Sequence, residues 1–342
     1  MTGPLSAIRV LEVGTMLAGP YATMMLADLG AEVVKIEPPG GEISRQVGDS
    51  YFASLNRNKR SVCLDLNSQE GQRQLAELVK ESNALLVNLK PSAIRRLGLT
   101  YETLKQHNEK IVCVAITGFG LDGGDDPAFD YVIQASTGIA ALTGDPDGPP
   151  TLPGYSSADN STGLTAALGL LAQIVSGRGG QVDVCLRDVM LSQLNYRAAA
   201  YLNDGIAPQR YRFGAHSHYV PAQLFETADG YLALFITHDA FWKAFAAEAN
   251  ITGFETMAER VARRHDVLAV VSEALSKDSA TGWEARLRPL GIPAAAVRSL
   301  PEALEADPEI VITAGDFKLV GSPVRISGYQ PDYRPPPQLP HS

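Results

Sequence analysis

Apolar and polar positions divide the first half of the chain into short, nearly continuous apolar runs, separated by stretches with helical spacing. "IRVLEVG" has the texture of a buried strand, and "GPYATMMLADLG" follows it as an apolar helix closed by Gly30. "AEVVKIEPPG" predicts a second strand, stopped by Pro38 and Pro39. "SVCLDL", the helix "SQEGQRQLAELVKES", the strand "ALLVNL", then "TYETLKQHN" and "KIVCVAITGFG" continue the alternation. Strand, helix, strand in repetition requires right-handed crossovers and a parallel sheet covered on both faces. The expected class is α/β, with a Rossmann-like parallel sheet in a large domain spanning residues 1–200.

Gly and Pro thicken between Gly118 and Gly154, as in "GLDGGDDP" and "GDPDGPP". Apolar segments continue on both sides, so the stretch reads as a functional loop or a crossing between subdomains rather than a linker. The apolar helix "LTAALGLLAQI" comes next, introduced by "SSADNSTG", and then the strand "GQVDVCLRD". From about Val220 the texture changes. "AQLFETADGYLALFI" predicts a hairpin turning at Asp229-Gly230, and several helices follow. A smaller α+β domain is expected over 220–300. Residues 301–342 form a return segment and a Pro-rich tail, "GSPVRISGYQPDYRPPPQLPHS", extended over the surface.

Composition narrows the function classes. The 342 residues are 45% hydrophobic and 20% charged, which suits a globular chain with a full core. A net charge of −9 argues against a nucleic-acid surface, and an anionic ligand would need a local basic cluster. No apolar run is long enough to span a membrane, and "MTGPLSAIRV" lacks the features of a signal peptide, so no membrane association and a cytoplasmic location are expected. Cys63, Cys113 and Cys185 stand far apart in apolar contexts and read as core thiols, with neither a disulfide framework nor a metal site.

Three places carry candidate chemistry. In "VLEVGTMLAGPYATMML" a glycine turn lies between strand and helix, and Glu37 ends the second strand, as in a dinucleotide site. The glycines Gly14 and Gly19 are wrongly spaced for that fingerprint, however, and a tight turn with Pro20 at the first helical position explains them equally well. Arg57, Lys59 and Arg60 cluster in "SLNRNKRSVCLDL", and Arg95 and Arg96 follow the third apolar strand. Such groups at the carboxyl ends of strands or in loops suit anionic ligands, though a solvated charged face is the plainer reading. Asp159 stands at the mouth of the long apolar helix, where it reads either as a helix cap or as a functional carboxylate.

Taken together, "VLEVGTMLAGPYATMMLADLGAEVVKIEPPGG", "LNRNKRSVCLDL", "NLKPSAIRRLGL", "FDYVIQASTG", "GYSSADNSTGLTAALGLLAQ", "GRGGQVDVCLRDVML", "FETADGYLAL" and "GSPVRISG" resemble the class III CoA-transferase family, which includes formyl-CoA transferase, carnitine CoA-transferase and α-methylacyl-CoA racemase. The resemblance covers nearly the whole chain in family order. It implies a CoA-transferase that moves CoA from an acyl-CoA donor to a small carboxylic acid, with coenzyme A as co-substrate and no metal. It implies Asp159 as the nucleophile, passing through an aspartyl anhydride and an aspartyl-CoA thioester. A helix dipole at that spot favours an ionised carboxylate, so cap and nucleophile share one physical cause. CoA is implied to lie near Lys59, Arg60, Asn88, Leu89 and Arg96, with the turn at Met16, Leu17 and Ala18 close to the thioester. The family also implies a homodimer of interlocked chains.

The chain departs from parts of the family. Phe129 stands where the racemase branch has a histidine, and phenylalanine cannot shuttle a proton; His238 matches that branch's second acid. Leu17 and Pro38 replace a glutamine and an arginine of formyl-CoA transferase, which disfavours an oxalate-like acceptor. His216 and His218, in "RFGAHSHYVPAQ", are further candidates for substrate contact. A 2-methylacyl-CoA racemase or epimerase and a CoA-binding protein without catalysis are the alternative readings, with an NAD dehydrogenase more distant.

Overall fold

The computed structural model describes residues 3–339. Six strands, β1 (Arg9–Val13), β2 (Glu32–Glu37), β3 (Arg60–Cys63), β4 (Ala84–Val87), β5 (Val112–Thr117) and β6 (Gly180–Cys185), form one sheet. Its order is β3-β2-β1-β4-β5-β6, with every neighbouring pair parallel. This is the doubly wound Rossmann order, as the alternation of runs predicts. The central strands read as unbroken apolar runs because both faces are covered: β4 and β5 are buried at every position.

Alternate residues feed two cores. Val10, Val33, Leu86 and Val114 pack on one face with the first helix (Ala18–Asp28) and the long helix (Ser157–Val175). Leu11, Val34, Leu85 and Cys113 point the other way, toward the helices Gln69–Lys80 and Pro91–Arg96. The first and long helices touch through Gly163, where a Cβ would lie 2.7 Å from the Ala18 carbonyl oxygen. Only glycine permits that approach.

The chain divides into two compact units. The sheet unit comprises the chain through Ile139, Pro153–Ala199, and the segment from Asp307 onward; the other comprises Ala140–Leu152 and Ala200–Ala306. The second unit holds an antiparallel sheet of β7 (Ala222–Glu226), β8 (Tyr231–Phe235) and β9 (Ala294–Ala296). Its first hairpin closes where the sequence predicts, with the Thr227 amide donating to the Gly230 carbonyl at 2.9 Å. In the sheet unit, the return segment forms a hairpin of β10 (Val311–Ala314) and β11 (Phe317–Val320). The Pro-rich tail then lies against the turn at Asn58, whose side-chain oxygen accepts from the Arg334 amide at 2.7 Å.

Several short helices escape the periodicity: Ser44–Val47, Asp49–Asn56 and Asp130–Ser136, the last of them inside the Gly/Pro-rich stretch. None exceeds eight residues, too short for a helical period to show. Among the described residues no helix is long and apolar enough to cross a membrane.

Candidate active site

A cavity of about 540 Å³ opens at the carboxyl ends of the strands, lined by Thr15–Ala18 after β1 and Asn88–Pro91 after β4. Strand order reverses between β1 and β4, so this is the switch point where open α/β sheets take their ligands. The turn after β1 is strained, because Met16 holds φ 59, a left-handed value that a side chain of its size rarely adopts. Asn88 clamps it: its side-chain oxygen accepts from the Thr15 amide at 2.8 Å and its Nδ2 donates to the Thr15 carbonyl at 2.9 Å. A Cβ on Gly19 would lie 2.8 Å from that same oxygen, which explains the glycine. One N–H and the oxygen of the Asn88 amide therefore hold the turn, while the residue itself lines the cavity.

Behind the turn lies a buried charge cluster. The Glu12 carboxylate, fully enclosed, accepts from Lys35 Nζ and Lys59 Nζ at 2.7 Å each and from Thr23 Oγ1 at 2.6 Å. Burial alone would raise the Glu12 carboxyl, but the two ammonium groups overcome it and hold it at about 2. Burial brings Lys59 down to about 8 against the opposing pull of Glu12, which leaves it charged at neutral pH. Glu42 completes the cluster, 3.4 Å from Lys35 Nζ and accepting from the Met16 amide at 3.3 Å. Glu37, which a dinucleotide fold would use for ribose, is buried and gripped by Arg45 at 2.6 and 2.7 Å.

Asp159 lines the cavity from the first turn of the long helix. The capping position belongs to Ser156, and no side chain of the helix caps its own amides. Instead the carboxylate of Asp130, on another helix, accepts from the amides of Ala158 at 2.7 Å and Asp159 at 3.0 Å. Gln134 in turn donates to Asp130 from within the same helix. The cap role that the sequence offered to Asp159 is therefore filled from elsewhere. Burial first, and the Asp130 carboxylate second, push the Asp159 carboxyl up to about 7. The helix dipole that would favour the anion is thus outweighed by burial and by the neighbouring charge, while Asp130 accepts from two of the first-turn amides.

Met16, Leu17, Ala18, Asn88, Leu89 and Asp159 converge on this one cavity, as the resemblance implies. The basic residues behave differently. Lys59 is enclosed, and its three N–H donors serve Glu12, the Pro20 carbonyl and Asn56, leaving none for a phosphate. Its neighbour Arg57 is buried against Asp28. Arg60 opens β3, at the end of the strand away from the cavity, and pairs with Glu32 at 3.1 Å. Two basic residues of "NRNKR", Arg57 and Lys59, thus serve interior acids, and the third, Arg60, pairs with an exposed one. Arg96 closes the helix that starts at the cavity's edge and donates to the Asn67 side chain.

Lys90, Tyr51 and Asp130 also line the cavity and were not singled out from sequence. Tyr51 lies in a short helix without a legible period, and its phenol is pushed up by burial and by the field of Asp159. In the second unit, His216 Nδ1 accepts from the amides of His218 and Tyr219, and His238 caps the helix Asp239–Glu248 while stacking on Phe241 at 3.7 Å.

The family described as CoA-transferase family III matches residues 5–340. The chain belongs to this family. As a family III CoA-transferase, it is 33% identical over 336 residues to the succinate–glutarate CoA-transferase of Agrobacterium fabrum, an alignment covering 90% of this chain and 83% of that one. The acetyl-CoA:oxalate CoA-transferase of Acetobacter aceti is 31% identical over 361 residues, with 98% and 92% covered. Among solved structures, a CaiB/BaiF family protein from Brucella suis superposes with a TM-score of 0.86 at 30% identity, covering 98% of this chain and 96% of that one. The enzyme's co-substrates are accordingly CoA thioesters.

Proposed function

We propose that this CoA-transferase works through Asp159. A carboxylate that caps nothing, raised toward neutral pKa and facing a cavity at the switch point, is the observation that carries the reading. A carboxylate oxygen of Asp159 attacks the acyl carbon of the donor thioester; the C–S bond breaks, leaving a mixed anhydride and CoA thiolate. The thiolate attacks the aspartyl carbonyl and releases the donor acid, giving an aspartyl-CoA thioester. The acceptor carboxylate attacks that thioester, the thiolate departs, and its attack on the new acyl group regenerates Asp159. Relatives named for succinate, glutarate, oxalate and mesaconate support a small dicarboxylic acid as the acceptor class. Incubation with a panel of acyl-CoAs, followed by hydroxylamine or borohydride and peptide mass spectrometry, tests this. A label on the peptide containing Asp159 supports it, and labelling elsewhere overturns it.

Phe129, 74% exposed at the start of the Asp130 helix, offers no proton, so the racemase alternative lacks a base there. CoA phosphates are assigned to Lys90 and Arg96, which stand at either end of the helix beginning at the cavity's edge. Lys90→Ala and Arg96→Ala are each expected to weaken CoA binding about tenfold, the worth of one charge-assisted hydrogen bond, and to flatten its salt dependence. Arg60→Ala is expected to leave affinity within about twofold, because its guanidinium sits at the far end of β3. Calorimetry at low and high salt checks all three.

The reading includes an interlocked homodimer. The sheet unit is built from segments on both sides of a long excursion, the chain leaving it after Ala199 and returning at Asp307. On the long helix, Leu164, Leu168 and Val175 form an exposed apolar stripe, with Leu168 69% and Val175 86% exposed. Light scattering at micromolar concentration is expected to give a dimer mass, and an active monomer would contradict it.

A further inference from the structure

We infer that Asp130 is a positioning residue that keeps Asp159 a reactive nucleophile, by taking the first-turn amides of the long helix for itself and facing Asp159 with a second carboxylate. The inference rests on Asp159 as nucleophile and adds to it a separate residue with a separate signature. Two hydrogen bonds, 2.7 Å from the Ala158 amide and 3.0 Å from the Asp159 amide, satisfy donors that would otherwise bond and stabilise an anion at the helix mouth. Asp130 is buried and is itself held by Gln134. Its negative charge therefore has a fixed place beside the nucleophile. A carboxylate deprived of amide donors and faced by a like charge is more basic, and attack on a thioester follows basicity. The field at Asp159 has few other sources. Tyr51 faces it from the helix Asp49–Asn56, Lys90 and Asp126 line the same cavity, and Tyr21 lies on the first helix where that packs against Gly163.

The surroundings admit an isosteric test. Asp130→Asn keeps an oxygen for both amides, and Gln134 Oε1, a buried acceptor with no partner, can receive the new amide once the Gln134 side chain turns over. Asp130→Ser, with a short acceptor and no charge, is the second variant should the first fold poorly. The rate of covalent labelling by acyl-CoA is measured from pH 5 to 9 in the parent and both variants, with Asp159→Asn alongside. In Asp130→Asn the midpoint of the pH profile is expected to move down by about half to one unit. The high-pH plateau is expected to fall about three- to tenfold, with the KM for acyl-CoA unchanged. A purely structural role would lower the plateau or the melting temperature without moving the midpoint, and a midpoint unchanged in both variants overturns the inference. Labelling that persists in Asp159→Asn overturns the nucleophile assignment instead, so the two failures are read separately.

Discussion

Asp159→Asn is expected to lose transferase turnover by about 10⁴-fold or more while gaining stability at pH 8. The first effect follows from chemistry, since an amide cannot form the anhydride on which the double displacement depends. The second follows from linkage. The Asp159 carboxyl stands at about 7 in the folded protein against an ordinary 3.8, so between these values the folded state binds the proton more tightly than the unfolded chain does. Parent stability therefore falls as pH rises through that window, by about 2–4 kcal/mol for a shift of this size in a partly exposed group. Asparagine has no charge to bury and avoids the loss. Denaturation midpoints of parent and variant should coincide near pH 4 and separate by pH 8, with the variant the more stable. A residue acting only as a cap would give the reverse: turnover retained, and stability unchanged or reduced.

Glu12→Gln is expected to be the most destabilising single change in the sheet unit. The substitution preserves shape but leaves Lys35 and Lys59 enclosed with only Glu42, at 3.4 Å from Lys35, to balance them. Breaking a buried ion pair from one side costs about 3–5 kcal/mol. The parent should also carry an acid transition that the variant lacks. Glu12 is held at about 2 in the fold against an ordinary 4.5, so its contribution is fully present above pH 4.5 and is lost as pH falls toward 2. Urea denaturation at pH 7 and pH 3 checks both points, and a variant as stable as the parent at pH 7 would show that the cluster contributes little. Because Glu42 reaches both Lys35 and the Met16 amide, the same variant should loosen the turn after β1 and weaken CoA binding.

The sheet is legible because its strands are apolar on both faces, so the runs at Val10, Leu85 and Val114 stand out against the amphipathic helix at Gln69–Lys80. Asp159 stands out through the resemblance, because an acid at the mouth of a helix is by itself an ordinary cap. The "NRNKR" cluster misleads for a physical reason: local charge density does not reveal that Asp28 and Glu12, distant in sequence, lie inside waiting for two of its members. The capping bonds of Asp130 are hidden likewise, since they appear only when a second helix, 28 residues along the chain, presents its amides. Asn88 lines the cavity as expected of its place in the sequence, but its clamp on the turn is not visible there. Its partners are the backbone atoms of Thr15, and such a clamp has no signature in sequence.

The contact at Gly163 sets the gauge of the reaction centre. One backbone, carrying Asp159, rests directly on another, carrying Ala18 and the turn beside it, with no side chain between. The span from the proposed nucleophile to the turn is consequently set by main-chain geometry. Leu17, Phe129 and Tyr131 line the cavity without taking part in that contact, so changing them alters the walls and leaves the separation of the two backbones as it is.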